Sequence, residues 1–340
     1  MSKKNKNLSS QVVQDENTKE TKVKQPLNVC GHRKVFYIVS IAIIVVSIVV
    51  SLFGRLHLAI QFRGGTEITY SYEGEIDTSA VEKIVKDSIG DRVIVTTGES
   101  MADSSKTVTL SFASKKGLTN SKQSTLTEAL QSGLKDNNLE VYSSNDVSPS
   151  NGKEFFLKCL VAVIFSVIVM IIYIGFRFRK IGGISAGCMA VVALIHDMLM
   201  VFGCFVICGF DIDANFMAVL LTILGYSINA TIIIYDRIRE NKRIYGRKAD
   251  VAELVNLSVT QTIGRSIHTN VTTIAAMAVV CIVCVIAGVS SILSFAFPLI
   301  IGMLAGVYSS NCIAPTLWVC WQEHKAKKLM AQAQATKKKK

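Results

Sequence analysis

The sequence predicts an α-helical membrane protein: six transmembrane helices, with one extracytoplasmic α+β domain after the first helix. Three observations predict it. Half of the 340 residues are hydrophobic, the mean hydropathy is positive and only 4 residues are Pro, which is too apolar for an ordinary soluble chain. Six apolar runs, at 35–53, 155–176, 184–208, 216–235, 271–289 and 292–319, reach the roughly twenty residues that a bilayer crossing requires. Charge alternates along them. Basic residues crowd the two termini, the Arg177/Arg179/Lys180 stretch and the 237–248 stretch, whereas residues 54–152 are net acidic. The positive-inside rule then places both termini in the cytoplasm and residues 54–152 outside.

Taken in order, residues 1–34 are expected to form a disordered basic cytoplasmic leader. As far as residue 26 it is Lys/Asn/Gln/Glu-rich, lacks periodicity and is expected to be disordered. The long polar leader, the length of the first apolar run and the lack of a small-residue cleavage site after it make this span an uncleaved anchor. In the exported segment, residues 60–72 are strand-like around a Gly-Gly break. Residues 78–89 have helical spacing with Asp77 or Thr78 as N-cap, and 92–97 and 106–113 are β-branched strands joined by a polar turn. Residues 120–134 read as helix and 139–144 as strand. The order β-α-β-β-α-β is that of the ferredoxin-like split βαβ motif, and about a hundred residues bury one core.

Residues 153–321 hold the remaining five spans as one bundle. The 209–215 turn carries Asp211 and Asp213 without Lys or Arg, as an outside loop should. The 236–270 connection is cytoplasmic, and its 249–259 portion, apolar at Val251, Leu254 and Val255, is expected to lie in the interface. Residues 322–340 form a basic cytoplasmic tail.

Composition excludes several functions. The net charge of +12 invites nucleic acid, but its placement at span ends assigns it to topology and lipid headgroups, so no specific nucleic-acid partner is expected. None of the 9 cysteines falls in the exported segment, and Cys281–Cys284 lies inside an apolar helix, so neither a disulfide framework nor a zinc site is implied. No metal or organic cofactor is expected. Gly64-Gly65 is no phosphate loop, because no Lys-Ser/Thr follows it. A hydrolase would need a nucleophile beside His196, and Ser185 is more than two turns away on the same helix.

The motifs that remain lie at helix ends or at bilayer depth. Phe62-Arg63-Gly64-Gly65-Thr66 follows the first span, where the glycines permit a bend or a close backbone approach. In VSPSNGKE (residues 147–154), Pro149 and Gly152 suit a rigid hinge. His196-Asp197 sits mid-span, where an ionisable pair is costly and faces the bundle interior, either coupling transport or bonding helices together. LTILGYSINATIIIYDRIREN (residues 221–241) runs from lipid into dense charge. Its apolar part holds Gly225 and Asn229, a polar side chain that costs free energy unless paired. QTIGRSIHTNVTT (residues 261–273) carries Arg265, which by position alone is an anchor at the cytoplasmic surface. Gly302-x-x-x-Gly306 with Tyr308-Ser309-Ser310 offers a face for close helix contact. Asp236-Arg237-Ile238-Arg239-Glu240-Asn241 is a mixed-charge helix end, read as a cytoplasmic gate or subunit contact.

Together these motifs resemble SecF, a subunit of the bacterial SecDF protein-export complex, over roughly residues 35–321. GYSIN…DRIREN is similar to the family's GYSxNDxxxxxDRIREN, with Ala230 where many members carry an intramembrane Asp. FRGGT, VSPSNGKE, the His-Asp pair, QTIGRSIHTNVTT and the YSS segment each resemble a family stretch. Gln61 and Ser148 depart from the usual Asp and Gly. The resemblance implies a heterodimer with SecD, association with the SecYEG channel and SecA in the bacterial cell membrane, exported polypeptides as clients, and use of the proton or sodium gradient. It further implies that Arg265 partners the transport acid. Ala230 cannot bind a proton, so that acid is expected from SecD, with Asp197 and His196 as the fallback carrier in this chain. Alternatives from other classes are a half-transporter of the resistance–nodulation–division group, moving a lipid or small molecule, and a non-transporting assembly subunit for SecD.

Overall fold

A computed structural model describes residues 26–52, 58–90, 93–99, 105–112, 118–246, 249–286 and 290–338. The expected disorder of residues 1–25, the start of the exported segment at Gly54, the turn at 100–104 and the last two lysines lie outside the described residues. Six helices are long and apolar enough to cross a membrane. α1 (Arg33–Val50) comes first. α5 (Pro149–Arg177), α6 (Gly183–Cys208), α7 (Ala214–Tyr245) and α8 (Val251–Ile286) follow the α+β domain. The sixth crossing combines α9 (Ser290–Tyr308), a π-helical turn (Ser309–Ile313) and α10 (Ala314–Lys338).

Between α1 and α5 lie α2 (Ile60–Arg63), β1 (Gly65–Tyr72), α3 (Thr78–Ile89), β2 (Val93–Glu99), β3 (Lys106–Phe112), α4 (Asn120–Gly133) and β4 (Glu140–Val147). The sheet order is β2-β3-β1-β4, antiparallel throughout, as the split βαβ pattern predicts. Side chains alternate faces along β1, so Ile68 and Tyr70 point into the core. Val81 and Val85 on α3, and Leu126 and Leu130 on α4, sit four residues apart and close that core from one side. Asp77 caps α3, accepting from the Ser79 amide at 2.9 Å.

Three expectations are corrected. Residues 60–63 are not strand: they form the helical turn α2, and β1 begins only after Gly64, whose φ of 80° breaks the chain direction. Residues 249–259 do not lie apart as an interfacial helix. From Val251 they begin α8, which runs unbroken into the fifth span because no Pro interrupts it, and Leu254, Val255 and Val259 are buried in the bundle core. Residues 26–32 of the leader are placed, held on α8 by bonds from the Leu27 amide to Thr260 Oγ1 (2.8 Å) and from the Cys30 amide to Asn256 Oδ1 (2.9 Å).

The α+β domain is seated on the bundle. Phe62 of α2 is buried among bundle residues, stacking on Phe155 at 5.6 Å and meeting Phe156 edge-on at 5.4 Å. The Ala59 amide donates to the Ile212 carbonyl, and Gln61 Oε1 accepts from the Ala214 amide at 3.1 Å. The two hinge motifs meet here: a Cβ on Gly152 would lie 2.9 Å from the Gly64 nitrogen. Within the bundle, α6 and α7 are the most buried spans, whereas α1, α5 and α8 leave most of their apolar surface outward. A membrane protein turns such surface to lipid.

Candidate functional site: a buried carboxylate where three motifs converge

His196 and Asp197 lie halfway along α6, where side chains facing α7 and the sixth crossing are buried. Among the described residues, Asp197 is the one fully buried carboxylate. Its Oδ1 lies 3.0 Å from His196 Nδ1. Its Oδ2 accepts from Ser227 Oγ at 2.6 Å and from Ser309 Oγ at 2.8 Å. Ser227 belongs to the GYS segment of α7 and Ser309 to the YSS segment, so three separated motifs supply one hydrogen-bond centre.

Local structure explains the convergence. Pro315 has no amide hydrogen to offer the carbonyl four residues back, and the chain ahead of it widens into the π turn. That turn directs Ser309 to Asp197, and Ser310 to Thr231 Oγ1 (2.9 Å) and to the Ser227 carbonyl (3.2 Å). Gly306 permits the approach, since a Cβ there would lie 3.1 Å from Ser227 Cβ. Gly302 does the same one turn earlier, where a Cβ would come within 2.6 Å of Ile223.

Two opposing effects set the chemistry of Asp197. Full burial penalises its charge, and three donors on its two oxygens favour it. With Nδ1–H donated to Asp197, His196 presents Nε2 as a bare acceptor, and Nε2 is buried without a hydrogen-bond partner among the described residues. The centre therefore has a proton-binding atom left over. Its arrangement suits taking up or passing a proton inside the bundle.

The remaining predicted residues fall elsewhere. Ala230 is buried, and Asn229 is exposed on the outer face of α7 with Gly225, where an added Cβ would meet nothing within 4 Å. Arg265 bonds neither to Asp197 nor, among the described residues, to any acid. It lines a cavity of about 1150 Å³ with Lys180, Asp236, Arg237, Arg239 and Glu240. There Asp236 pairs with Arg177 (3.0 Å) and Arg239 (2.8 Å), and Arg237 with Glu240 (2.6 Å). Asn241, buried below them, donates to Ser258 and Gln261 of α8. The DRIREN charges thus tie α5, α7 and α8 together. Gly64 and Gly65 lie at the domain joint. Gly65 has φ of 147°, and a Cβ there would be 2.1 Å from the Phe112 carbonyl oxygen. Sequence reasoning missed Ser227, Thr231, Ser309 and Ser310 as site residues. Their signal was hydroxyl pairs at bilayer depth inside the motifs already marked.

Residues 126–324 match the model of a family described as protein export membrane protein SecD/SecF, C-terminal. The SecF protein translocase subunit of Anaerolinea thermophila is 30% identical over 304 residues, covering 87% of this chain and 94% of that protein. The chain belongs to the SecF family of protein translocase subunits. The SecDF translocase subunit of Bacillus subtilis is 34% identical over 323 residues, and the match covers 94% of this chain but 41% of that protein. A crystal structure of SecDF from Thermus, described as a translocon-associated membrane protein, superposes with a TM-score of 0.73 at 26% identity, over 88% of this chain and 39% of that one. The chain thus spans nearly all of a separate SecF and about two fifths of a fused SecDF.

Proposed function

We propose that this chain acts beside a SecD-type subunit in the bacterial cytoplasmic membrane, drawing polypeptides out of the SecYEG channel fed by SecA with energy from the proton or sodium gradient. Asp197 with His196 is its own ion-responsive centre. The observation that carries this reading is the meeting of three motif segments on one buried carboxylate. A proton added there changes the bonds to Ser227 and Ser309 and so biases how α6, α7 and the π turn pack, a population shift driven by protonation.

A second reading keeps the carrier in the partner, with Arg265 lowering the pKa of an acid supplied by SecD. The position of Arg265, exposed and without an ion pair among the described residues, favours it. The two separate in inverted vesicles containing the whole Sec machinery. Asp197→Asn abolishes gradient stimulation of late translocation, with normal assembly, if this chain carries the ion. Little effect there, with a strong loss from Arg265→Ala, assigns the ion to the partner. Stimulation that survives both changes and loss of the partner's intramembrane acid leaves a scaffold role.

Both termini are cytoplasmic and the α+β domain extracytoplasmic, as the alternation of basic span ends supports. Single cysteines at Ser104 and Lys337 label from opposite sides of the membrane; labelling from one side sinks this orientation.

A further inference from the structure

We infer that the groove between the end of α5, the start of α6 and α10 binds an anionic phospholipid, with the phosphate headgroup held by Arg179 and Lys325. The groove encloses about 870 Å³, within the range of about 300–1,000 Å³ typical of small-ligand sites. Its walls are apolar: Ile171, Ile172, Phe176, Ile184 and Met189. Ile172, Phe176 and Ile184 are each more than half exposed in a segment that spans the membrane, so the groove opens toward lipid. Its floor exists because two helices touch through glycine: a Cβ on Gly183 would lie 2.2 Å from the Gly175 carbonyl oxygen.

The two cations stand at one end of this apolar trough, the end of the bundle opposite the α+β domain, and no acidic residue lines it. Arg179 is held by its guanidinium lying 4.5 Å over the Phe176 ring, and Lys325 has no ion pair among the described residues. Two basic residues nearby are already occupied, Arg177 by Asp236 and Arg33 by Glu323. Trp321, half-exposed, lies beside the cations, where an amphipathic ring sits at headgroup level. Two cations without an ion pair among the described residues, at the end of an apolar trough, match a lipid with net negative charge and disfavour one whose own ammonium neutralises its phosphate. This site is independent of the Asp197 centre and of any role in export.

Trp321 is the reporter, since the chain has 2 Trp and Trp318 is buried. The full chain carrying Trp318→Phe is reconstituted in phosphatidylcholine vesicles, and dibrominated phosphatidylglycerol or dibrominated phosphatidylcholine is titrated in. Trp321 quenching by the anionic lipid should show an apparent binding constant at least about threefold higher. Arg179→Gln with Lys325→Gln should bring the two lipids to parity. Gly175→Leu should weaken quenching by both, because a Cβ there meets only Ile184, at 4.0 Å, and the larger side chain fills the trough. If Trp318→Phe does not fold, the difference between the native chain and Trp321→Phe gives the same reading. Equal quenching by both lipids in the native chain overturns the proposal, as does a preference that survives the double Gln change. Displacement of the anionic lipid by millimolar inorganic phosphate would assign the cations to the free ion, and Cys188–Cys188 cross-linking with no bromolipid quenching would assign the groove to a second copy. Either result also overturns it.

Discussion

Glu67 shows how a single side chain can oppose the seating of the α+β domain on the bundle. It stands on β1 facing Asp211 and Asp213 of the loop before α7. Burial, and then the charge of Asp211, raise its pKa, with Asp213 adding to the effect and a bond from Ser111 opposing it. A carboxyl whose folded pKa is raised is easier to bury protonated. Its destabilising effect is absent below the unfolded value of about 4.3, grows as pH rises through the folded value, and stays in full above it. Glu67→Gln should therefore raise the thermal midpoint at pH 7.5, with the gain shrinking toward pH 4. A gain that is independent of pH would remove the carboxylate as its cause. At Asp197 the same burial is met by three donors, so removing Ser227 or Ser309 costs the site more than removing an exposed hydroxyl.

At the scale of elements, the joint between α2 and β1 depends on Gly65. Its φ of 147° is closed to ordinary side chains, and a Cβ would press on the Phe112 carbonyl in β3. Gly65→Val should strain the backbone by on the order of 1–3 kcal/mol. The expected result is a chain that inserts normally, with an exported domain cut faster by protease and export impaired; unchanged cleavage and export would leave FRGGT as an ordinary turn. Much of this level was legible in the sequence. Span lengths follow from apolar runs, and the order of strands and helices in the domain follows from two competing periodicities. The turn α2 was not, because four residues carry no period and Phe62 is buried by bundle residues far along the chain. The unbroken α8 was hidden by its charge and hydroxyl content, which resembles a surface segment until Leu254, Val255 and Val259 are seen in the core. Asp197 was marked from its depth and from the family resemblance of the His-Asp pair, but its bond to Ser309, 112 residues away, is set by helix packing and a π turn that no local pattern specifies.

Across the whole molecule, polar groups left on the outer surface of the bundle carry the last argument. Gly225 and Asn229 on α7, and Gly264, Arg265, His268, Thr269 and Thr272 on α8, are exposed on adjoining helices. In lipid such a stripe is costly, and small and hydroxylated residues are those that let helices of another subunit approach closely. The lipid-facing side of α5 has no such stripe: Val161, Ile164, Phe165, Ile168 and Ile172 are all exposed there. The SecD-type partner is therefore expected to seat on α7 and α8 and to leave α5 in lipid. Asn229→Trp should lower co-purification with that partner at least about tenfold, which is the loss of roughly 1.4 kcal/mol of association, while Ile168→Trp should leave it unchanged. Thermal stability of each variant alone separates lost association from lost folding. Equal co-purification of both variants would move the seat away from α7. The polar stripe would then have to be covered by a further copy of this chain, and cross-linking between single cysteines at position 229 would detect it.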